Sequence, residues 1–129
     1  MPTSTRRILL VEDDRFLRRA AETSLKRHGF IVQVAVDGEE ALRVAAAERP
    51  DLILLDLILP KLPGFEVLRS LKSNPDLASI PVIVLSNLGQ DHDVQQAVDL
   101  GALSYLVKAN LSLEELARRV EEALQGASS

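Results

Sequence analysis

Five short apolar runs punctuate the chain, at Ile8–Val11, Ile31–Val36, Leu52–Leu55, Val82–Leu85 and Tyr105–Val107, and helix-like stretches separate them. Four of the runs are continuously apolar, the pattern of parallel strands covered by helices on both faces, whereas Gln33 interrupts the second and suits an edge strand. A β-then-α alternation of this kind predicts an α/β domain: a doubly wound, five-stranded parallel sheet with five helices.

The helix signals agree with that reading. Leu113, Leu116, Ala117, Val120 and Leu124 trace one face of the last helix, and Ser112 with Glu115 forms a capping box before it. Asp37 with Glu40 makes a similar start for the second helix, which is expected to run until Pro50. Gly29 is placed to stop the first, and Asp14 to cap its beginning. The expected domain covers residues 6–125, with residues 1–5 and 126–129, small and polar, as flexible tails.

With 129 residues, 47% of them hydrophobic, the chain can bury one core. The net charge of -4 and a pI near 5.2 argue against nucleic acid or anionic lipid as direct partners, since both attract clustered Lys and Arg. No cysteine is present, so thiolate chemistry is excluded and any cation must be held by oxygens. Ile8–Val11 is too short for a signal-peptide core or a membrane span, and a cytoplasmic location is expected.

In an open parallel sheet, ligands bind beyond the carboxyl ends of the strands. That edge collects Glu12, Asp13 and Asp14 after the first strand, Asp56 after the third, Ser86 at the end of the fourth and Lys108 at the end of the fifth. With a strand order of 2-1-3-4-5, Asp13 and Asp56 face each other across one crevice, flanked by Ser86 and Lys108. Carboxylates held this close raise one another's pKa unless a cation neutralises them, so the cluster predicts a metal. Mg2+, or Mn2+ in its place, suits Asp13 and Asp56 with phosphoryl oxygens completing the shell, and Glu12 acting through a water. Lys108 and the Ser86 hydroxyl are what phosphoryl transfer needs around its spread negative charge, and the Asp56 carboxylate can be the nucleophile.

In order, Ile8-Leu9-Leu10-Val11-Glu12-Asp13-Asp14, Asp56-Leu57-Ile58-Leu59-Pro60 with Gly64, Val84-Leu85-Ser86 and Tyr105-Leu106-Val107-Lys108 make a specific set that resembles the receiver domain of bacterial two-component response regulators, including the stand-alone chemotaxis type. The resemblance covers nearly the whole chain and implies a flavodoxin-like fold. It further implies Asp56 as phosphoacceptor, Asp13 as the principal metal ligand with Glu12 assisting, the Ile58 carbonyl as another ligand, and Lys108 against the phosphoryl group. Ser86 and Tyr105 become a switch pair reshaping the face made by the fourth helix, fifth strand and fifth helix. Implied partners are a histidine kinase or histidine phosphotransfer protein and a downstream protein reading that face, with the domain a monomer or a phosphorylation-dependent dimer.

Three positions depart from the family pattern. Ala109 stands where the family has Pro joined through a cis bond; a non-proline cis bond costs about 3–4 kcal/mol, so either a strained cis Lys108–Ala109 bond or a rearranged trans loop is expected. Asn87 replaces a very small residue and is expected to narrow the phosphoryl pocket or add a donor. Ile58 and Leu88 are apolar where polar groups often orient the hydrolytic water, which predicts slow self-dephosphorylation.

Taken singly, Asp56 reads as a helix cap, Lys108 as a solvated surface lysine and Tyr105 as strand packing; their sharing one edge gives them meaning. His28 and His92 fall away from that edge and receive no role. A dinucleotide-binding enzyme of the same fold needs Gly-x-Gly-x-x-Gly after the first strand, where this chain has Glu12-Asp13-Asp14. Turnover of free substrates is disfavoured, and the remaining alternative is an interaction module of the same fold that works without phosphorylation.

Overall fold

The computed structural model describes residues 5–87 and 91–128; Leu88 and the tail residues 1–4 and 129 lie outside them. The strands are β1 (Arg7–Val11), β2 (Ile31–Ala35), β3 (Leu52–Leu55), β4 (Val82–Ser86) and β5 (Ser104–Val107). Between and after them come α1 (Arg15–Arg27), α2 (Gly38–Glu48), α3 (Gly64–Ser73), α4 (Asp91–Asp99) and α5 (Leu113–Ser128). All pairings are parallel, in the order β2-β1-β3-β4-β5. The expected fold is therefore the observed one. β2 occupies an edge, where the Gln33 side chain reaches out to Glu48 at 2.7 Å.

Alternation along the strands sorts their side chains into two cores. Leu9, Val11, Ile53, Leu55, Val82 and Val84 pack with Ala41 and Ala45 of α2, Val67, Leu68 and Leu71 of α3, and Ala97 of α4. Ile8, Leu10, Leu52, Leu54, Ile83 and Leu85 pack on the other face with Ala21 and Leu25 of α1 and Leu116, Ala117, Val120 and Leu124 of α5. Each large side chain buried this way contributes about 1.5–3 kcal/mol. Leu54 is fully buried in the middle strand, and its truncation to Ala would cost about 2–5 kcal/mol.

The helices begin where the sequence signals place them. Asp14 Oδ1 accepts from the N–H groups of Phe16 (2.9 Å) and Leu17 (3.2 Å), capping α1. Asp37 Oδ1 accepts from Glu40 N–H at 2.8 Å while Glu40 Oε1 accepts from Val36 N–H at 2.7 Å, a complete capping box. At α5 only half of the box forms: Ser112 Oγ accepts from Glu115 N–H, but the Glu115 carboxylate turns to Arg118 and Arg119. Gly29, at φ +93°, ends α1 in the left-handed region that suits glycine. α5 continues to Ser128, beyond residue 125 where the sequence reading ends the domain.

Candidate functional site

The sheet order brings the carboxyl ends of β1 and β3 side by side, and the acidic residues follow directly. Glu12 continues the β1 ladder by donating its N–H to Ala35 O, and Asp56 continues β3 by donating to Val11 O. One carboxylate oxygen from each of Glu12, Asp13 and Asp56 falls within 4.8 Å of the others. Glu12 and Asp56 are buried, Asp13 exposed, so the cluster opens to solvent on one side. Asp14 turns away to its cap.

Lys108 enters from β5, at the first residue of a 3-10 turn over Lys108–Asn110. Its Nζ lies 2.8 Å from Asp56 Oδ2 and 2.6 Å from Glu12 Oε1. Every described peptide bond is trans, Lys108–Ala109 included, so of the two arrangements expected at Ala109 it is the trans loop that delivers the ammonium. Burial opposes the Lys108 charge, but hydrogen bonding to Asp56 and Glu12 outweighs it and holds the pKa above the ordinary 10.5. Burial pushes the Glu12 carboxyl up from 4.5, against the pull of Lys108 and of the Asp14 N–H that donates to Oε2 at 3.0 Å.

The loop after β3 is fixed from two sides. Ile58 N–H donates to Asp56 Oδ1 at 3.2 Å, so both Asp56 oxygens are held. Gly64 packs so closely that a Cβ there would collide with Asp56 O and the Leu57 backbone. From the far side, Gly38 donates its N–H to Pro60 O at 3.3 Å and leaves no room for a Cβ against Leu62. Asp37 adds an ion pair to Lys61 at 3.6 Å, across to a residue at φ +68°. The sequence reading assigned Asp37 only to a helix cap and gave Gly38 and Lys61 no role; what joins them is a contact between distant segments, for which neither spacing nor periodicity carries a signal.

Ser86, fully buried at the end of β4, shares a side-chain hydrogen bond with Tyr105 of β5. Burial, then the charge of Asp93 on α4, raises the Tyr105 pKa above 10.0 against the effect of that hydrogen bond. Asn87 follows β4 exposed at the rim, and the Ile58 side chain is 58% exposed. A further residue that the sequence reading passed over is Arg18 of α1. One guanidinium nitrogen, Nη1, donates to Glu12 O (3.1 Å) and Asp13 O (3.3 Å).

The donor set fits a hard divalent cation. All candidate ligands are oxygens, and Glu12 Oε1, although buried, has no well-aligned hydrogen-bond donor beyond its ion pair with Lys108. Among the described residues no helix is long and apolar enough to cross a membrane.

Residues 8–121 match the family model described as response regulator receiver domain. The chain is 44% identical over 115 residues to the gliding motility regulatory protein of Myxococcus xanthus, covering 89% of this chain and 15% of that one. It is 41% identical over 119 residues to the DNA-binding dual master transcriptional regulator RpaA of a Synechocystis strain, covering 92% of this chain and 49% of that protein. Among solved structures, the Mn(2+)-bound form of response regulator Rcp1 superposes with a TM-score of 0.79 at 36% identity, covering 91% of this chain and 90% of that one. This chain thus spans half or less of the length of these two curated relatives. The expectation of no nucleic-acid partner finds no support among them, since one is named as DNA-binding.

Proposed function

Because the chain belongs to the response regulator receiver family, we propose that Asp56 is its phosphoacceptor, taking a phosphoryl group from a histidine kinase or histidine phosphotransfer protein with Mg2+ or Mn2+ as cofactor. The observation that carries this reading is the convergence of Glu12, Asp13, Asp56 and Lys108 from three strand ends upon one partly open pocket.

The Asp56 carboxylate attacks phosphorus in line, forming an O–P bond as the P–N bond of a phosphohistidine breaks; the electron pair goes to the imidazole nitrogen, which takes up a proton. The product is an acyl phosphate. Glu12, Asp13, Asp56 and the Ile58 carbonyl are the residues that would hold the cation, whose charge offsets the carboxylates and the phosphoryl oxygens. Lys108 already touches the nucleophile and follows the negative charge onto the transferred group. Ser86 supplies a hydroxyl to a phosphoryl oxygen, and Asn87 borders the entrance.

Output follows from the Ser86–Tyr105 link. When Ser86 moves to the phosphoryl group, Tyr105 moves with it and alters the face formed by α4, β5 and α5, where a downstream protein or a second copy binds. Driving a two-state equilibrium from 1:99 to 99:1 takes about 5.5 kcal/mol, more than the about 1.5–3 kcal/mol of one hydrogen bond to a charged group. The free phosphorylated domain is therefore partly switched, and Lys108 with the bound partner completes the shift. Apolar Ile58, and Leu88 outside the described residues, give attacking water no hydrogen bond, so the phosphorylated state decays slowly. An Ile58→Asn variant that loses its phosphoryl group no faster than the natural chain would count against that last point.

Acetyl phosphate with Mg2+ should add the mass of one phosphoryl group to the chain, and to no Asp56→Asn variant; EDTA should abolish the gain. Unmodified Asp56 under these conditions would leave only a phosphorylation-independent interaction module.

A further inference from the structure

The loop between β1 and α1 carries two of the three carboxylates of the cluster, yet its own carbonyls have left the sheet and not entered the helix. Glu12 O and Asp13 O therefore need donors from elsewhere. Both find the same one, Arg18 Nη1, at 3.1 and 3.3 Å. The backbone N–H of Arg18 donates to Asp14 O at 2.9 Å, the first i to i−4 bond of α1, which seats the residue so that its side chain reaches the two carbonyls before the helix. Among the described residues no ion pair engages the guanidinium, although the chain has 19 acidic residues. Its neighbour Arg19, on the same helix, is exposed and makes no comparable contact.

We infer that Arg18 is a positioning residue for the cation site: by fixing the peptide planes of Glu12 and Asp13 it sets the directions in which their side chains leave the backbone. The inference rests on the proposed metal-assisted reading of the pocket and adds to it the part of α1 on which ligand geometry depends. Groups that orient metal ligands, rather than bind metal, typically change affinity about 10–100-fold when lost.

Charge and positioning predict opposite signs here, which makes the role testable. Removing a positive charge beside a cation site favours cation binding by Coulomb's law. Loss of a clamp weakens it. Titration calorimetry of the full chain with Mg2+, without any phosphoryl donor, should show Arg18→Met binding about tenfold more weakly, while Arg19→Met binds as tightly as the natural chain or slightly tighter. The amide NMR signals of Asp13 and Asp14 should move in the Arg18 variant alone. If Arg18→Met lowers the melting temperature enough to prevent titration, Arg18→Gln, which keeps one amide donor, gives the same comparison. Equal Mg2+ affinity in the Arg18 and Arg19 variants overturns the inference. A natural chain that takes up no Mg2+ overturns both the inference and the metal reading, whereas weakened binding in a domain that acetyl phosphate fails to label retires the phosphoacceptor reading and keeps the clamp.

Discussion

Lys108 Nζ stands 2.8 Å from Asp56 Oδ2, delivered from β5 through a trans bond to Ala109. The ammonium neutralises a carboxylate that the sheet has taken out of water, and it reaches Glu12 as well. In Lys108→Met the two buried carboxylates lose their cation, which should lower stability by about 3 kcal/mol in EDTA. Saturating Mg2+ should restore most of it, since a ligand at 100 times its Kd adds about 2.7 kcal/mol. Labelling by acetyl phosphate should still slow by about 100-fold or more, the usual effect of losing a donor to developing negative charge. Urea melts with and without Mg2+ decide the first point, and an EDTA midpoint equal to that of the natural chain would refute it.

Tyr105 offers a clean optical probe, because the chain has one tyrosine and no tryptophan. Burial, and next the Asp93 charge, raise its pKa, so absorbance at alkaline pH should report a midpoint above 10.0. The neutral phenol is the form the fold favours: its stabilising contribution is complete below 10.0 and disappears as pH rises through the raised value. Asp93→Asn should bring the midpoint down. A midpoint at or below 10.0 in the natural chain would contradict the packing described for this side chain.

These two residues also show how far sequence carried the reading. The apolar runs located the strands, most plainly the three central ones, because a strand buried on both faces needs an unbroken apolar run, and strand order then fixed which polar residues share an edge. Lys108 and Asp56 were legible on that basis, as were the caps at Asp14 and Asp37, whose partners lie two or three residues away. Contacts that depend on side-chain direction or on two distant segments were not. Arg18 reaches back six residues to a carbonyl, Gly38 meets the loop after β3, and Lys72 Nζ donates to Ala78 O and Ile80 O. None of these leaves a periodic trace. The Ser86–Tyr105 pairing was suggested by resemblance, and it arises because β4 and β5 are adjacent.

Asp37 should govern the acid side of the stability curve. The Glu40 N–H holds its carboxyl below the ordinary 3.8, with Lys61 adding to the effect. A depressed carboxylate stabilises fully above 3.8, and the contribution is lost as pH falls through the folded value. Acidification should therefore loosen the start of α2 and its hold on the loop after β3. Comparison of urea midpoints at neutral and acid pH should show a smaller acid loss in Asp37→Asn than in the natural chain; equal losses would remove this role.

Two glycines should respond with opposite signs. A methyl group at Gly64 meets Asp56 O and the Leu57 backbone, so Gly64→Ala should cost about 1–3 kcal/mol and impair Mg2+ binding. Gly126, within α5, has nothing within 4 Å of its would-be Cβ, and alanine there should stabilise by about 0.5–1 kcal/mol. Thermal melts of the pair check the contrast, and a neutral Gly64→Ala would show that the loop yields.

Asp56, the proposed nucleophile, directly follows the middle strand of the sheet, with two strands on either hand and a packed layer above and below. So placed, it sits on an anvil: a blow of new charge at Asp56 finds no slack behind it. On the proposed reading the recoil is left to the loops and helix starts around the rim, and a buried chemical event would become a change of outline that another protein can feel.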